Sequence, residues 1–288
     1  MPHWDLAIIG GGAAGLSAAA AATGLSTLLV DPMGGGELMN LGPLRGLDTE
    51  ETGPDLAARL LGEAMDAGAE LAIGEVQSLT QTPDGWRLAT ADETHIARAV
   101  ILAVGLAHGT LGLPNEAEME GRGLSHCAAC DGPLFQGQAV AVAGTSRWAR
   151  LEAEELTAFA SHVTLIAPGE APPPIENVAI LRGRAIGLEG RDGLDAVLVQ
   201  PDDGGPPIRV PAQGLFVQTG RRAALGFSPD GLRRDADGRA AVDASLATSL
   251  PALFAAGEAR SGFESSLPAA IADGKRATAS ARHALTPG

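Results

Sequence analysis

The chain has 288 residues, of which 45% are hydrophobic and 3% aromatic, with a formal net charge of −15 and a mean hydropathy of +0.11. This composition supports a sizeable, mostly aliphatic core and excludes a disordered chain. So acidic a surface repels phosphate backbones and anionic lipid, so we expect neither a nucleic-acid-binding nor a membrane-binding protein.

The beginning of the chain lacks a secretory signal pattern. His3, Trp4 and Asp5 stand where a signal peptide has basic residues, and glycines divide the apolar stretch 6–30 into short pieces. These pieces are too short for a transmembrane helix. We therefore expect a cytoplasmic protein without a membrane span.

A strand, a helix and a second strand are predicted at the start of the chain. Leu6–Ile9 is a short apolar run typical of a buried parallel strand. Ala13–Thr23 is alanine-rich and helical, with Gly24 placed to end the helix. Thr27–Val30 is the next strand, closed by Asp31. This order and length are those of a βαβ unit.

The turn between the first strand and the helix fits the pattern G-x-G-x-x-G. Gly10 allows a tight turn, Gly12 lets a pyrophosphate approach the backbone, and Gly15 lets helix and strand pack closely. The helix N-terminus then faces the anion, and Asp31 is placed to accept hydrogen bonds from ribose hydroxyls. A glycine-rich turn without a ligand is the alternative, but the flanking strand, helix and acidic residue favour dinucleotide binding.

A second βαβ unit is predicted near the middle of the chain. Its elements are a strand at Ala139–Ala143, a helix at Arg147–Ala160 and a strand at His162–Ala167. Two such units indicate two nucleotide-binding-type domains. Near the C-terminus we expect an apolar strand at Leu253–Ala256 and a helix over 266–285, with Ser266 as its N-cap.

The two cysteines of the chain lie three residues apart in Cys127-Ala-Ala-Cys130, and Asp131 follows them. A Cys-x-x-Cys pair at a helix N-terminus lowers the pKa of one thiol from ~8.5 toward ~7 and supplies a thiolate nucleophile. Asp131 is an acid or base group beside this pair. A zinc site needs further ligands, and the sequence has neither a second such pair nor a close histidine pair, so we expect no metal. An inert buried cysteine pair is the other alternative.

These motifs, together with further segments in matching order and spacing, make the chain resemble the low-molecular-weight thioredoxin reductases over nearly its whole length. The further segments are 35–38, 53–56, 99–105, 121–132 and 254–258. The resemblance implies an α/β fold of two Rossmann-like three-layer domains. A discontinuous FAD domain would comprise 1–112 and 237–288, and a smaller inserted domain, 113–236, would carry the cysteine pair. The resemblance also implies a homodimer.

The resemblance assigns roles to individual residues. It implies that Cys130 lies against the flavin, that Cys127 exchanges with the substrate disulfide, and that Asp131 moves the proton. Glu258 stands where the family has an aspartate, and Ser265 with the following serine stands where the family has Arg-Gln. The implied FAD-binding residues are Gly10, Gly12, Ala13, Gly15, Asp31, Gly36, Glu37, Leu38, Val76, Gly105, Gly257, Glu258, Ser266 and Leu267.

The second nucleotide-binding turn departs from the family, which has G-G-G-D-S-A after the strand at 139–143. This chain reads G-T-S-R-W-A over 144–149, so that Ser146 crowds the pyrophosphate approach and Trp148 replaces a small residue. The arginines that hold the NADPH 2′-phosphate in the family are missing after Ala167. Glu170 leaves a contact with an NAD ribose open, but we do not expect NADPH to be the electron donor.

We therefore expect an FAD-dependent dithiol/disulfide oxidoreductase that passes electrons between FAD, its cysteine pair and an external thioredoxin-like protein or small dithiol or disulfide. Relatives with degenerate NADPH sites include ferredoxin-dependent flavin thioredoxin reductases and gliotoxin-type dithiol oxidases. A protein electron carrier and either direction of electron flow therefore stay open. Two further alternatives are an NADPH-dependent thioredoxin reductase with an atypical site and a non-catalytic flavoprotein. The intact Cys-x-x-Cys-Asp sequence argues against the last.

Overall fold

The computed structural model of the protein describes residues 2–44, 51–170 and 172–286. Within these ranges no helix combines the length and the apolar character that crossing a membrane requires. The chain divides into two compact units, which we call the first unit (1–107 with 222–288) and the second unit (108–221).

The first unit is built around one mostly parallel sheet. Its helices are α1 (Ala13–Ala20), α2 (Gly53–Asp66) and α6 (Leu267–Leu285), and its strands are β1 (His3–Ile9), β2 (Thr27–Asp31), β3 (Ala69–Ile73), β4 (Ser78–Thr82), β5 (Gly85–Ala89), β6 (Thr94–Leu102) and β16 (Leu253–Ala255). The strand order is β3-β2-β1-β6-β5-β4. Strand β5 pairs antiparallel with the beginning of β6, and β4 pairs antiparallel with β5. Strand β16 pairs parallel with the end of β6.

The centre of this sheet is buried on both faces because residues 6–9 of β1 and residues 99–102 of β6 are apolar at every position. Leu6 and Ile8 of β1 pack on one side with Leu16 of α1, and Ala7 and Ile9 pack on the other. Helix α1 ends at Ala20 rather than at the predicted Thr23, since the next residues form tight turns that lead into β2.

The second unit repeats this plan on a smaller scale. Its helices are α3 (Glu116–Met119), α4 (Ala128–Asp131) and α5 (Arg147–Leu156), and its strands are β8 (Leu124–Ser125), β9 (Ala139–Ala143), β10 (His162–Ala167), β11 (Val178–Glu189), β12 (Ala196–Pro201), β13 (Ile208–Pro211) and β14 (Gly214–Val217). Strands β11, β10, β9, β14 and β8 run parallel in that order, and β12 and β13 continue antiparallel from β11. The short strands β7 (Leu106–His108) and β15 (Arg221–Ala223) pair with each other at the two points where the chain passes between the units.

The predicted α/β fold with two Rossmann-like halves is confirmed, and β9 and β10 have the predicted bounds. Helix α5 ends at Leu156 instead of Ala160 because the following residues form turns. The first crossing point lies near the expected boundary at 112. The second precedes the expected boundary at 236, because Leu225 and Leu232 are buried in the core of the first unit.

Candidate functional site

The turn between β1 and α1 has the geometry of an anion-binding cradle. Gly10 has a φ of +104°, and a Cβ at Gly15 would overlap the carbonyl oxygen of Gly10, so neither position accepts a side chain. A Cβ at Gly12, by contrast, would meet no atom within 4 Å. Gly12 is the N-cap of α1, which has neither a side-chain cap nor an acidic residue in its first turn. Its free N–H groups and open approach fit the pyrophosphate of a dinucleotide.

Asp31 shapes this cradle as well as standing beside it. One of its carboxylate oxygens accepts the N–H of Gly11, and the other accepts the N–H groups of Met33, at 3.0 Å, and of Gly34. Each carboxylate oxygen has two lone-pair directions, so a ribose hydroxyl would have to share oxygens that already bind the backbone. The sequence predicted the ribose contact but not this structural role.

Two further predicted FAD segments pack onto the same turn. A Cβ at Gly36 would lie 3.1 Å from Cα of Gly12, and a Cβ at Gly257 would lie 3.0 Å from Cβ of Ala14. Leu38 follows Gly36 in a short turn and is buried. These contacts bring the segments at 36–38 and 257–258 together with the cradle inside the first unit.

The remaining predicted FAD residues also lie in the first unit. Ala13 begins α1, the side chain of Val76 is buried, Gly105 has a φ of +62°, and Glu37 is exposed. Ser266 caps α6, because its hydroxyl oxygen accepts the N–H of Ala269 at 3.3 Å, and Leu267 is the first helical residue. Glu258 accepts a hydrogen bond from Ser265 at 3.1 Å.

A buried ion pair that the sequence analysis missed supports the Gly257 turn. The carboxylate of Asp273 is 7% exposed, accepts the N–H of Gly257 at 3.2 Å, and pairs with the guanidinium of Arg260. Asp273 lies in α6 beside the small residues Gly274 and Ala277, which are buried. A charged residue on the buried stripe of a helix is the signal that would have found it.

The redox motif lies in the second unit. Cys127 and Cys130 form a disulfide bond, and Cys127 is the N-cap residue of α4. The Sγ atom of Cys127 accepts the N–H of Cys130 at 3.2 Å. An N–H donor directed at this sulfur favours its thiolate form once the disulfide is reduced.

Asp131 is held in place by Ser125, a residue that the sequence analysis did not single out. The Ser125 hydroxyl donates to Oδ2 of Asp131 at 2.7 Å, and its oxygen accepts the N–H of Cys127 at 3.2 Å. Ser125 is buried at the end of β8, so the hydroxyl links the acid group to the backbone of the first cysteine.

His126 is fixed on three sides. Its Nε2 lies 2.9 Å from Oε1 of Glu120, its Nδ1 lies 3.1 Å from the carbonyl oxygen of Val217, and its ring stacks on His108 with 4.5 Å between the ring centroids. Gln218, which follows β14, donates to the carbonyl oxygen of His126 at 2.8 Å. The residue preceding the cysteine pair is therefore anchored by several elements of the second unit.

In the second glycine turn, a side chain already binds one of the N–H groups at the helix N-terminus. Gly144 remains in an extended backbone conformation that a Cβ would block. Ser146 caps α5, because its hydroxyl oxygen accepts the N–H of Ala149 at 3.1 Å. Trp148 is 69% exposed and does not fill a pocket of this unit.

The loop after β10 carries an acidic residue rather than arginines. Oδ2 of Asp202 accepts the N–H of Gly169 at 2.8 Å, and Arg182 donates to the carbonyl oxygen of Gly169 at 2.9 Å. Glu170 is exposed beside it. No group of three metal-ligating side chains occurs in the part of the chain that the structure describes.

Comparisons with known proteins match this architecture over nearly the whole chain. The family model described as pyridine nucleotide-disulphide oxidoreductase matches residues 4–284. A thioredoxin reductase from Listeria monocytogenes is 30% identical over 293 aligned residues, covering 94% of this chain and 90% of the relative. The crystal structure of Lactococcus lactis thioredoxin reductase is 27% identical and superposes with a TM-score of 0.75, covering 98% of this chain and 99% of that one.

Solved structures similar to this chain also include less usual thioredoxin reductases. One is a ferredoxin-flavin thioredoxin reductase from Clostridium acetobutylicum, with 25% identity, a TM-score of 0.56, and 99% and 98% of the two chains covered. Another is an atypical thioredoxin reductase from Desulfovibrio vulgaris Hildenborough, with 30% identity, a TM-score of 0.54 and 97% of both chains covered. The chain therefore belongs to the pyridine nucleotide-disulphide oxidoreductase family and is a flavin disulfide oxidoreductase of the thioredoxin reductase type.

Proposed function

We propose that this enzyme binds FAD in the first unit and exchanges electrons between FAD, the Cys127–Cys130 pair and an external thioredoxin-like protein or small dithiol, without using NADPH. The observation that carries the proposal is the contrast between its two glycine turns. The turn at Gly12 leaves a helix N-terminus free for a pyrophosphate, whereas Ser146 caps the helix of the second turn with its own hydroxyl.

FAD is the cofactor that the family implies, and the residues present fit it. The open face of Gly12 and the packing of the segments at 36–38 and 257–258 around it support a pyrophosphate and ribityl site. When bound, FAD supplies the two-electron chemistry that oxidises or reduces the cysteine pair.

The external exchange uses this chain's own residues. In the reducing direction the Cys127 thiolate attacks one sulfur of the external disulfide, whose S–S bond breaks, and the leaving sulfur takes a proton from Asp131. The sulfur of Cys130 then attacks the sulfur of Cys127, the mixed disulfide bond breaks, and the thiol proton of Cys130 passes to the second leaving sulfur. The Cys127–Cys130 disulfide is thereby re-formed, and two electrons and two protons reach the external dithiol. The N–H directed at the Cys127 sulfur and the Ser125 hydroxyl on Asp131 support these roles.

Charge argues against NADPH as the donor. The loop after β10 carries the carboxylate of Glu170, and its Gly169 N–H binds the carboxylate of Asp202, which follows β12. None of the arginines that hold the 2′-phosphate in the family follows Ala167. A charge-assisted hydrogen bond contributes about 1.5–3 kcal/mol, so the loss of two or three lowers affinity by orders of magnitude. Repulsion from a carboxylate adds to this loss.

An anaerobic titration of the yellow protein with NADPH, NADH and a small dithiol tests the proposal. We expect fast bleaching of the flavin by the dithiol and slow bleaching by both nucleotides. Rapid bleaching by micromolar NADPH would refute the NADPH-independent route. Fast reoxidation in air after dithiol reduction would indicate a thiol oxidase, and slow reoxidation a protein electron carrier.

A ferredoxin-type donor is the second candidate, and the similarity to a ferredoxin-flavin thioredoxin reductase favours it. The net charge of −15 opposes fast encounter with an acidic carrier, so this route needs a locally basic docking surface. We further propose a homodimer, which light scattering of the purified protein tests directly.

A further inference from the structure

A carboxylate lies on the buried side of α5, behind the redox motif. Ala149, Ala153 and Leu156 form the apolar stripe of this helix and pack against Ala128 of α4. Glu152 falls at the helical spacing of that stripe rather than on the solvent side. The Oε2 atom of Glu152 is buried and has no hydrogen-bond partner among the residues that the structure describes.

Glu152 lies on the helix that packs against α4, which carries the cysteine pair. The N–H of Ala128, the residue after Cys127, and the side-chain amide of Gln218 both lower the pKa of its carboxyl group. Gln218 in turn donates to the carbonyl oxygen of His126 at 2.8 Å. Glu152 is thus linked on both sides to the segment 126–128.

Burial raises the pKa of Glu152 to about 7, although the Ala128 N–H, the Gln218 amide and the charge of His126 act in the opposite direction. The like charge of Glu155 on the same helix raises it further. Of the elements packed against α5, α4 contributes Asp131, β9 has no titratable side chain, and β10 has His162, exposed at its first residue.

We propose that Glu152 is a proton-holding positioning residue for the Cys127–Cys130 pair, taking up a proton when the pair is reduced and releasing it when the disulfide re-forms. A thiolate at Cys127 places a negative charge next to the Ala128 N–H that acts on the Glu152 carboxyl group, and like charges so close favour the neutral carboxylic acid. The proposal depends on the redox activity of the pair and not on the identity of the electron donor.

The step balances with an external dithiol as reductant. The dithiol forms its own disulfide and gives up two electrons and two protons, while the S–S bond between Cys127 and Cys130 breaks. One proton goes to the sulfur of Cys130, and the other goes to Glu152 while Cys127 remains a thiolate. When an external disulfide reoxidises the pair, it takes up two protons: one from Cys130 and one from Asp131, and the proton on Glu152 replaces the one that Asp131 gives up.

Infrared difference spectra of the holoprotein, dithiol-reduced minus oxidised at neutral pH, test this proton uptake. We expect a positive C=O stretch of a protonated carboxyl group that is absent in Glu152→Gln and retained in the control Glu154→Gln, whose residue is exposed on the same helix. Flavin bands are common to all three proteins and cancel in the comparison. A band of unchanged intensity in Glu152→Gln would overturn the proposal.

The pH dependence of Cys127 alkylation is a second test, because a residue with a purely structural role would not change it. In a Cys130→Ser background we expect the rate of iodoacetamide alkylation of Cys127 to show an extra inflection at or above pH 7, which Glu152→Gln removes. If Glu152→Gln does not fold, the pH titration of the carboxyl infrared band in the unmodified protein tests the proposal instead. Its carboxyl band must titrate near pH 7 when oxidised and at higher pH when reduced, and a band that does not move between the two states contradicts the assignment.

Discussion

The carboxylate of Asp202 accepts a hydrogen bond from the N–H of Gly169, 2.8 Å away, at the loop where a nucleotide 2′-phosphate would need cations. The Asp202 carboxylate therefore occupies the Gly169 N–H at the place where the family binds the NADPH 2′-phosphate. Arg182, the cation beside this loop, donates to the carbonyl oxygen of Gly169 and lies 4.0 Å from the Asp202 carboxylate, so its charge is already balanced. We therefore expect NADPH and NADH to bind equally weakly. Asp202→Asn should raise the affinity for NADPH relative to the affinity for NADH, because it removes the negative charge that lies beside this loop.

Quenching of the exposed Trp148, at the start of α5, measures both affinities. The matched control is Asp203→Asn, which removes an exposed carboxylate from the next position. NADPH binding tighter than NADH by tenfold or more in the unmodified protein would show that another cation serves the phosphate.

Gly12→Asp should abolish flavin binding without unfolding the first unit. A carboxylate at this position would face the bound pyrophosphate. The repulsion between the two uncompensated negative charges costs about 3 kcal/mol or more of binding free energy, which raises the Kd for FAD at least about a hundredfold. Flavin absorbance after reconstitution measures the effect. Gly226→Asp is the control, since its Cβ also meets open space in the first unit. Equal flavin content in the two variants would place the cofactor elsewhere.

Cys130→Ser should trap a mixed disulfide with a thioredoxin-like substrate at Cys127. Cys127→Ser should react at least about tenfold more slowly at neutral pH, because the N–H donor that stabilises a thiolate is directed at the sulfur of Cys127. Mass spectrometry of the trapped species distinguishes the two, and the double variant gives the background. Faster trapping by Cys127→Ser would reverse the assigned roles.

Glu152→Gln should alter the pH dependence of stability. The folded-state pKa of about 7 exceeds the ordinary value of 4.5, so the native state binds the extra proton, and its stabilising effect is present below pH 4.5 and lost as pH rises through 7. Glu152→Gln has no titrating carboxyl group at this position, so its stability does not fall for this reason as pH rises. Between pH ~5 and ~8 its stability relative to the unmodified protein should rise by about 1 kcal/mol, a value reduced for solvent screening of a half-buried group.

Urea unfolding at both pH values measures this difference, with Glu154→Gln, at an exposed position of the same helix, as control. A stability difference that is the same at both pH values would mean that Glu152 does not titrate in this range. That outcome would also weaken its assignment as the proton-holding group of the cysteine pair.

Asp273→Asn should destabilise the first unit by about 3 kcal/mol, because it leaves the mostly buried guanidinium of Arg260 without its counter-charge. Flavin affinity should fall as well, since Asp273 also holds the N–H of Gly257. Asp237→Asn, at an exposed position of the same unit, is the control for the urea-unfolding midpoint. A midpoint unchanged from that of the control would exclude the ion pair as a stabilising element.

Helix ends were the least accurate part of the sequence analysis. Helices α1 and α5 both stop several residues before the predicted ends, although alanine, threonine and phenylalanine follow them rather than proline or glycine. Propensity alone does not end these helices. They end where the chain turns toward the next strand of the sheet.

The sequence by itself determined what depends on neighbouring residues: both βαβ units, the glycine cradle, the Cys127–Cys130 motif with Asp131, and the cap of α6. Contiguous residues encode these features because strand, turn and helix signals act within a few positions. Only the tertiary structure decided which distant groups meet. It joins Asp202 to Gly169, Asp273 to Gly257, and Glu152 to the backbone behind the cysteine pair. Each pairing joins residues that are far apart in the sequence, so it depends on the three-dimensional arrangement of the elements rather than on local sequence. For Asp273 and for Oε2 of Glu152, packing also removes the polar atoms from water.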